Sequence, residues 1–346
     1  MVFLDYASTC PIVKFSSKQH DGFYCNPNAA YAYTERKTLM DCEERIKAAI
    51  GVKGGHVLYF RCATEAIEWL HDETYSWDDT WGHSPYEHDA CLFGIRRLPD
   101  QLISLDFYIH QWVNHITGEI FDLETIRSQL PETCKLIVDA TAGFGKSKLP
   151  SDLDNIADAL FMSGHKIGCP ELSFMWLSDN LCEWLGAAKD IRNQWGLHHG
   201  SLSVASVMAL TDAVEWACEN GDRVDGHSVG LYVQMNNLLD KARIEHHDVI
   251  EYVIERQAYT ASINAIRLNG INADALQQFL ASRGIYVGVG GSACSAAHDY
   301  RVLRAYGLTD GEASEVIRVS FGDETTSSDI EALVEGIKEY KERFIV

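Results

Sequence analysis

No Cys-x-x-Cys pair occurs anywhere in the 346 residues, although ten cysteines are present. That spacing excludes a zinc site of the common ligand pattern. Thiols scattered so widely also exclude the dense disulfide framework of a small secreted domain. No apolar run approaches the length of a membrane span, and the opening Met1-Val-Phe-Leu-Asp-Tyr6 lacks the charged and apolar regions of a secretory signal. Reduced thiols, mostly buried as small apolar residues, and a cytoplasmic location are the expectation. Basic charge is scarce: 29 Lys and Arg against 50 Asp and Glu leave a net charge of −21. A nucleic-acid surface needs clustered Lys and Arg, so direct nucleic-acid binding is not expected. A solvated acidic surface, or a basic partner protein, is. Internal repeats and low-complexity tails are missing too. What remains, 46% hydrophobic and 23% charged residues, suits one large globular domain plus a smaller one.

The chemistry gathers where short apolar runs stop. Residues 160–162 (Leu-Phe-Met) read as a buried strand that ends in Ser163-Gly164-His165-Lys166, the glycine forcing a turn. In a parallel α/β sheet, ligands collect beyond the carboxyl ends of the strands. There Ser163 and His165 can bind an anion and Lys166 can attack a carbonyl as an amine. Those are the needs of a pyridoxal phosphate site; a surface lysine after a turn is the plainer alternative. Residues 135–138 (Lys-Leu-Ile-Val) form the clearest buried strand, closed by Asp139. A carboxylate at that place can keep a pyridine nitrogen protonated, which makes the ring an electron sink, or it can cap a helix. About 27 residues separate Asp139 from Lys166, room for one strand-crossover-strand unit, so both can sit on one crevice. Residues 57–60 read as a strand passing through Arg61-Cys62 into a helix near Ala63-Thr64-Glu65. Backbone N–H groups at such a helix start, with the Thr64 hydroxyl, suit a phosphate as well as an ordinary cap.

Elsewhere, residues 33–49 have the spacing of an amphipathic helix closed by Gly51. Residues 74–88 read as an exposed loop ending in Glu87-His88, whose imidazole can stack on a cofactor ring or move protons. Asn114-His115 lies in a turn after the run 109–113, and residues 141–146 read as a flexible turn. Gly196-Leu-His-His-Gly200-Ser201 is a polar loop before a helix over 205–217, with a domain change near 212–220. Residues 263–268 and 284–289 are extended, with a helix over 273–283 between them. Gly290-Gly291-Ser292-Ala293-Cys294-Ser295 reads as a mobile, exposed loop in which a thiol packs no core, so Cys294 is read as reactive. The strand at 316–321 carries Arg318, a partner for a carboxylate of the protein or of a substrate. An amphipathic helix over 329–343 closes the chain.

Phe3-Leu-Asp-Tyr-Ala7, Ala63-Thr64-Glu65, Glu87-His88, Val138-Asp139-Ala140, Ser163-Gly164-His165-Lys166, Gly200-Ser201, Gly291-Ser292-Ala293-Cys294 and Ile317-Arg318-Val-Ser320 stand in one family's order, near its spacings. From end to end the chain resembles the pyridoxal-phosphate-dependent cysteine desulfurases of the class V aminotransferase fold. The resemblance implies an α/β transferase of fold type I. Its large domain, residues 15–215, would hold a mostly parallel seven-stranded sheet, and residues 1–14 with 216–346 a smaller α+β domain carrying the Cys294 loop. It implies pyridoxal 5'-phosphate as cofactor and no metal. Lys166 would hold the cofactor covalently and move the Cα proton, His88 would stack over the ring, and Asp139 would bond its nitrogen. Ala63 through its backbone, Thr64, Ser163 and His165 would hold the phosphate, and Gly164 would shape the cofactor-binding turn. Ser201 would reach the phosphate of a second subunit, which implies a homodimer. Arg318 would grip the carboxylate of L-cysteine, and Cys294 would take its sulfur as a persulfide, leaving L-alanine. An acceptor protein in an iron–sulfur, tRNA or DNA thiolation pathway would take the sulfur next. A selenocysteine lyase, another reaction on this fold, or a degenerate binding subunit are the alternatives.

The chain also departs from the family pattern. Ala142 stands where the family has a Gln touching the ring hydroxyl. The Asn that meets the same oxygen corresponds to Asn114 or to His115. Ser201 replaces a Thr, His198 a basic neighbour, and Cys62 a common Gly. The loop after Cys294 is compact, and the sequence ends soon after its last helix.

Overall fold

Runs rich in β-branched and aromatic residues become the strands, and helices follow where a polar cap meets an apolar stripe. The structure, a computed structural model, describes residues 1–74, 80–92, 105–249, 258–290 and 299–345. The strands among them are β1 (Val2–Leu4), β2 (His56–Phe60), β3 (Trp81–His83), β4 (Phe107–Gln111), β5 (Lys135–Asp139), β6 (Ala159–Met162), β7 (Ser173–Leu177), β8 (His246–Asp248), β9 (Ile263–Leu268), β10 (Ile285–Val289) and β11 (Val316–Ser320). They form two sheets, ordered β2-β7-β6-β5-β4-β3 and β1-β10-β11-β9-β8. Two compact units result. One is Ile12–Trp112 with Asp122–Asn220; the other is Met1–Pro11, Val113–Phe121 and Gly221–Val346. The sequence reading keeps 113–121 within the large domain. Its backbone pairs elsewhere: Thr260 N–H donates to Gly118 C=O at 2.9 Å and Ile120 N–H to Ala258 C=O at 2.7 Å.

In the unit of the six-stranded sheet, β3, β4, β5 and β6 run parallel, while β7 is antiparallel to both β6 and β2. The described sheet is therefore mixed and six-stranded, against the expected seven. Gln111 pairs with Asp139, and Asp139 with Phe161, so the carboxyl ends of β4, β5 and β6 share one edge. Beneath lies a core of Leu58, Phe60, Ile109, Ile137, Phe161 and Met175, packed with Ile67 and Leu70 of the helix Ala63–Thr74. Fully burying one such side chain contributes roughly 1.5–3 kcal/mol. The stretch read as an exposed loop is corrected here. Trp81 is part of buried β3 and stacks on Phe107 at 4.6 Å between ring centroids, and Glu87 is wholly buried. A three-residue strand is too short for a period to show. Residues 141–146, read as a flexible turn, are buried throughout.

Edge strand β2 is closed by a side chain. Gln194 accepts from Tyr59 N–H at 2.6 Å and donates to Tyr59 C=O at 3.3 Å, taking the place of a neighbouring strand. It is presented by four successive left-handed residues, Asn193, Gln194, Trp195 and Gly196, with φ of 50°, 51°, 60° and 73°. The three that are not glycine each cost about 1–2 kcal/mol, so this turn exists because the edge strand and its core hold it there.

Buried His110 on β4 donates from Nδ1 to Gln111 C=O at 2.7 Å, and desolvation holds its pKa down at about 4. The unfolded chain takes up that proton near the ordinary pKa of about 6.5. Stability from the neutral ring is therefore complete above pH 6.5 and lost as pH falls toward 4. His110→Asn keeps an N–H donor and does not titrate. Wild type should lose on the order of 3 kcal/mol relative to this variant between pH 7 and 4, read from urea unfolding at each pH. A constant difference would mean that the ring is not held neutral.

In the other unit, β9, β10 and β11 are antiparallel, and β1 joins β10 in parallel. Their core includes Leu4, Ile266, Leu276, Val287, Val319, Ile330 and Leu333. The last helix, Ser327–Phe344, opens with a capping box of Thr326 and Asp329. The boundary between the units, Asn220 to Gly221, lies at the edge of the expected domain change near 212–220 and falls inside an unbroken helix, Val204–Lys241. Gly226 and Gly230 sit on its open face with nothing within 4 Å, so they weaken the helix without ending it. Among the described residues no helix is long and apolar enough to cross a membrane.

Candidate active site

At the shared edge of β4, β5 and β6, Asp139 is fixed by its own backbone: its Oδ1 accepts from Thr141 N–H at 2.8 Å. Its Oδ2 faces the thiol of buried Cys91 at 3.9 Å, a weak donor. Ligand atoms of Glu87, Cys91 and Asp139 lie within 4.8 Å of one another, and Glu87 Oε1 accepts from Gln111 N–H at 2.8 Å. His88 follows directly. Its Nδ1 accepts from Ala90 N–H at 3.1 Å, which leaves the proton of the neutral ring on Nε2. Glu87 is thus brought to Asp139, a neighbourhood that the sequence reading did not anticipate. Cys91 was missed, since an isolated cysteine carries no pattern.

After β6, residues Gly164–Ile167 make one tight turn closed by left-handed Gly168, φ 82°. Gly164 itself has no positive φ. A Cβ there would lie 2.0 Å from Leu172 O, so close packing, rather than turning, demands the glycine. Gly164 N–H donates to Ser173 Oγ at 3.3 Å, and Ser163 Oγ lies 3.5 Å from the same hydroxyl. Burial first, then the charges of Lys166 and Lys146, holds the His165 pKa down at about 4. At neutral pH His165 is an uncharged N–H donor. Lys146 is buried beside it, a second cation that sequence reasoning left in a turn. At the start of the helix Ala63–Thr74, Cys62 Sγ accepts from Glu65 N–H at 3.5 Å and Glu65 Oε2 from Arg61 N–H at 2.7 Å. Cys62 and Glu65 do the capping, and Ala63 and Thr64 stand half-buried in the first turn. Ser201 is exposed, and nothing described brings it to these residues. His198 is no basic neighbour: its ring packs on Phe60 at 4.7 Å and desolvation holds its pKa below the ordinary value.

The remaining sequence-derived residues belong to the other unit. Asn114 Oδ1 accepts from the N–H groups of Ile116 at 2.8 Å and Thr117 at 2.9 Å, while its buried Nδ2 has no hydrogen-bond partner among the described residues. His115 is buried, and its C=O accepts from Arg318 Nη1 at 2.9 Å. Arg318, wholly buried on β11, donates from Nη2 to Asp5 Oδ1 at 2.7 Å. Cys294 lies outside the described residues.

Residues 105–333 match the family model described as aminotransferase class V. The chain belongs to the class V aminotransferase family. It is 23% identical over 396 residues to the putative cysteine desulfurase NifS of Halalkalibacterium halodurans, with 99% of each chain covered. It is 29% identical over 385 residues to the cysteine desulfurase IscS of Shewanella pealeana, covering 98% of this chain and 92% of that one. The solved NifS-like protein of Rickettsia africae superposes with a TM-score of 0.79 over 99% of both chains at 18% identity. The fold of this class V member is type I of the pyridoxal-phosphate-dependent transferases.

Its residues suit two of that cofactor's three polar ends. For a phosphate there are the neutral His165 donor, the Ser163 hydroxyl and the helix start at Ala63. For the pyridine nitrogen there is Asp139 Oδ2, with Thr141 Oγ1 nearby in the chain, buried and lacking a hydrogen-bond partner. For the ring hydroxyl, the Ala142 side chain offers no polar group. Several thiols of this class V protein are unsuited to nucleophilic work. Burial pushes Cys134 and Cys169 up to about 11, and Cys182 and Cys218 up to about 12.

Proposed function

We propose that this protein is a pyridoxal-phosphate-dependent cysteine desulfurase that works as a cytoplasmic homodimer and passes sulfur to an acceptor protein. The observation that carries this reading is the pairing of β5 with β6, which sets Asp139 and the Ser163–Lys166 turn at neighbouring strand ends. When bound, pyridoxal phosphate supplies an electron sink for the bonds at the substrate's Cα. Lys166 supplies the amine that holds the cofactor's aldehyde carbon and later carries the Cα proton. Asp139 keeps the ring nitrogen protonated. Ser163, the helix start at Ala63 and Thr64, and neutral His165 donate to the phosphate. His88 would stack on the ring, with its proton on Nε2 because Nδ1 accepts from Ala90 N–H. Asn114, through its uncommitted Nδ2, is favoured over His115 for the ring hydroxyl.

Arg318 receives the α-carboxylate of L-cysteine, which orients the Cα–H bond for removal. Cys294, as thiolate, attacks the substrate sulfur. A sulfur–sulfur bond forms, the Cβ–S bond breaks with its electron pair left on carbon, and a proton completes L-alanine. The protein keeps a persulfide, which an acceptor thiol or an added reductant removes. The homodimer reading draws on exposed aromatic residues in one unit: Phe23, Tyr31 and Tyr33 are 90%, 78% and 73% exposed. Such residues are expected beneath a partner, as is exposed Ser201 if it serves a second subunit's phosphate.

Cys294→Ala tests the reading. The purified variant should keep the cofactor's colour, while sulfide release from L-cysteine with a reductant present falls at least 100-fold, as expected when a covalent nucleophile is removed. Full sulfide release would sink the persulfide mechanism; loss of colour would point to a different job for Cys294.

A further inference from the structure

We propose that Asp5 is a built-in carboxylate ligand of Arg318 that gives way to the α-carboxylate of the incoming amino acid. This rests on the reading of Arg318 as the substrate's carboxylate partner. A buried guanidinium without a counter-charge is strongly disfavoured. Arg318 is only 1% exposed, and among the described residues its hydrogen-bond partners are the His115 C=O at 2.9 Å and Asp5 Oδ1 at 2.7 Å, while its Nε is buried with none. Among the described residues Asp5 is therefore the one carboxylate on this guanidinium.

The pair is asymmetric. The Asp5 side chain is 21% exposed, so it has a way out to water that the arginine lacks. Its backbone is anchored: Asp5 bridges Ser320, and its C=O accepts from Ser8 N–H at 2.9 Å and Thr9 N–H at 3.4 Å. Only side-chain torsions have to change for the carboxylate to leave. Opposite Arg318 in the strand register stands Gly288, where a Cβ would lie 2.9 Å from both Arg318 Nε and Asp5 Oδ1. The missing side chain keeps that face of the guanidinium clear. Two carboxylates on one guanidinium repel each other, so the substrate exchanges with Asp5 and does not share. Asp5 thereby lowers affinity for carboxylate-bearing ligands while keeping the arginine in place between turnovers, a specificity device built on competition.

Calorimetry on the holoenzyme tests this with two ligands, L-alanine and ethylamine, which lacks the carboxylate. Asp5→Asn keeps an oxygen for Arg318 and removes the competing charge. Its Kd for L-alanine should fall about tenfold, with ethylamine changed by less than about twofold. Asp5→Ser, which shortens the side chain, should act the same way and serves should the Asn variant fold poorly. An L-alanine Kd that is unchanged or weaker in the folded variants overturns the proposal and makes Asp5 a fixed support. Arg318→Lys separates the underlying reading: L-alanine binding should weaken at least about tenfold. Should it stay unchanged, Arg318 is not the carboxylate partner, whatever Asp5 does.

Discussion

Lys166→Ala should yield a protein with no covalently attached cofactor, whose L-cysteine desulfurase activity is down by on the order of 10⁴ or more, since the proposed role of this amine is both to hold the cofactor and to move the proton. Borohydride should fix the cofactor to wild type at Lys166, identified by peptide mass, and should fix none to the variant. The competing amine is Lys146, buried and close enough for its charge to act on His165. Were Lys146 the attachment point, the variant would keep its trapped cofactor, and the assignment of the Ser163–Lys166 turn would fail. The substitution has a second consequence. Lys166 is the larger of the two charges that depress His165, after burial itself, so its removal should move that pKa upward from about 4. Burial, the leading cause, persists. His165 should therefore stay neutral at pH 7 and the phosphate donors stay intact, so added pyridoxal phosphate should still bind non-covalently.

The legible parts of this chain are those whose signal is local. β5 is visible because it is flanked by parallel neighbours and buried on both faces, which requires an unbroken apolar run ended by Asp139. The helix Tyr33–Ile50 shows its stripe, Leu39, Cys42, Glu43, Ile46 and Ile50, and its left-handed stop at Gly51. β3 is invisible because Trp-Gly-His acquires strand character only from its pairing with β4. The helix Val204–Lys241 outruns its expected span of 205–217 because a change of unit at Asn220–Gly221 does not require the helix to stop. In the candidate site, the motif residues stand out in the sequence and their silent partners do not. Asp5 meets Arg318 across 313 positions of sequence. Cys91 reaches Asp139, and Lys146 reaches His165, through the fold alone.

Asp139→Asn should leave the fold and the cofactor in place and lower turnover by on the order of 10³. The geometry makes this substitution specific. Asp139 Oδ1 is committed to Thr141 N–H at 2.8 Å, and an asparagine oxygen can accept the same bond. The amide nitrogen is then forced into the position of Oδ2, opposite the Cys91 thiol. A carboxylate oxygen there accepts a proton-bearing ring nitrogen; an amide N–H₂ can only donate, so it favours the unprotonated ring. Binding is thereby preserved while the electron sink is lost, since an uncharged ring accepts electron density from Cα poorly. The expected signature is normal cofactor content, an altered visible spectrum and a fall in kcat, with little change in the KM for L-cysteine, whose carboxylate is assigned to Arg318. Restoring the ring's charge chemically separates this from general damage. Reconstitution with an N-methylated cofactor analogue, positively charged without any partner, should recover part of the lost kcat in Asp139→Asn and none in Lys166→Ala. Failure of that rescue, with cofactor content and melting temperature unchanged, would assign Asp139 to holding the Thr141 turn and leave the ring nitrogen to another group.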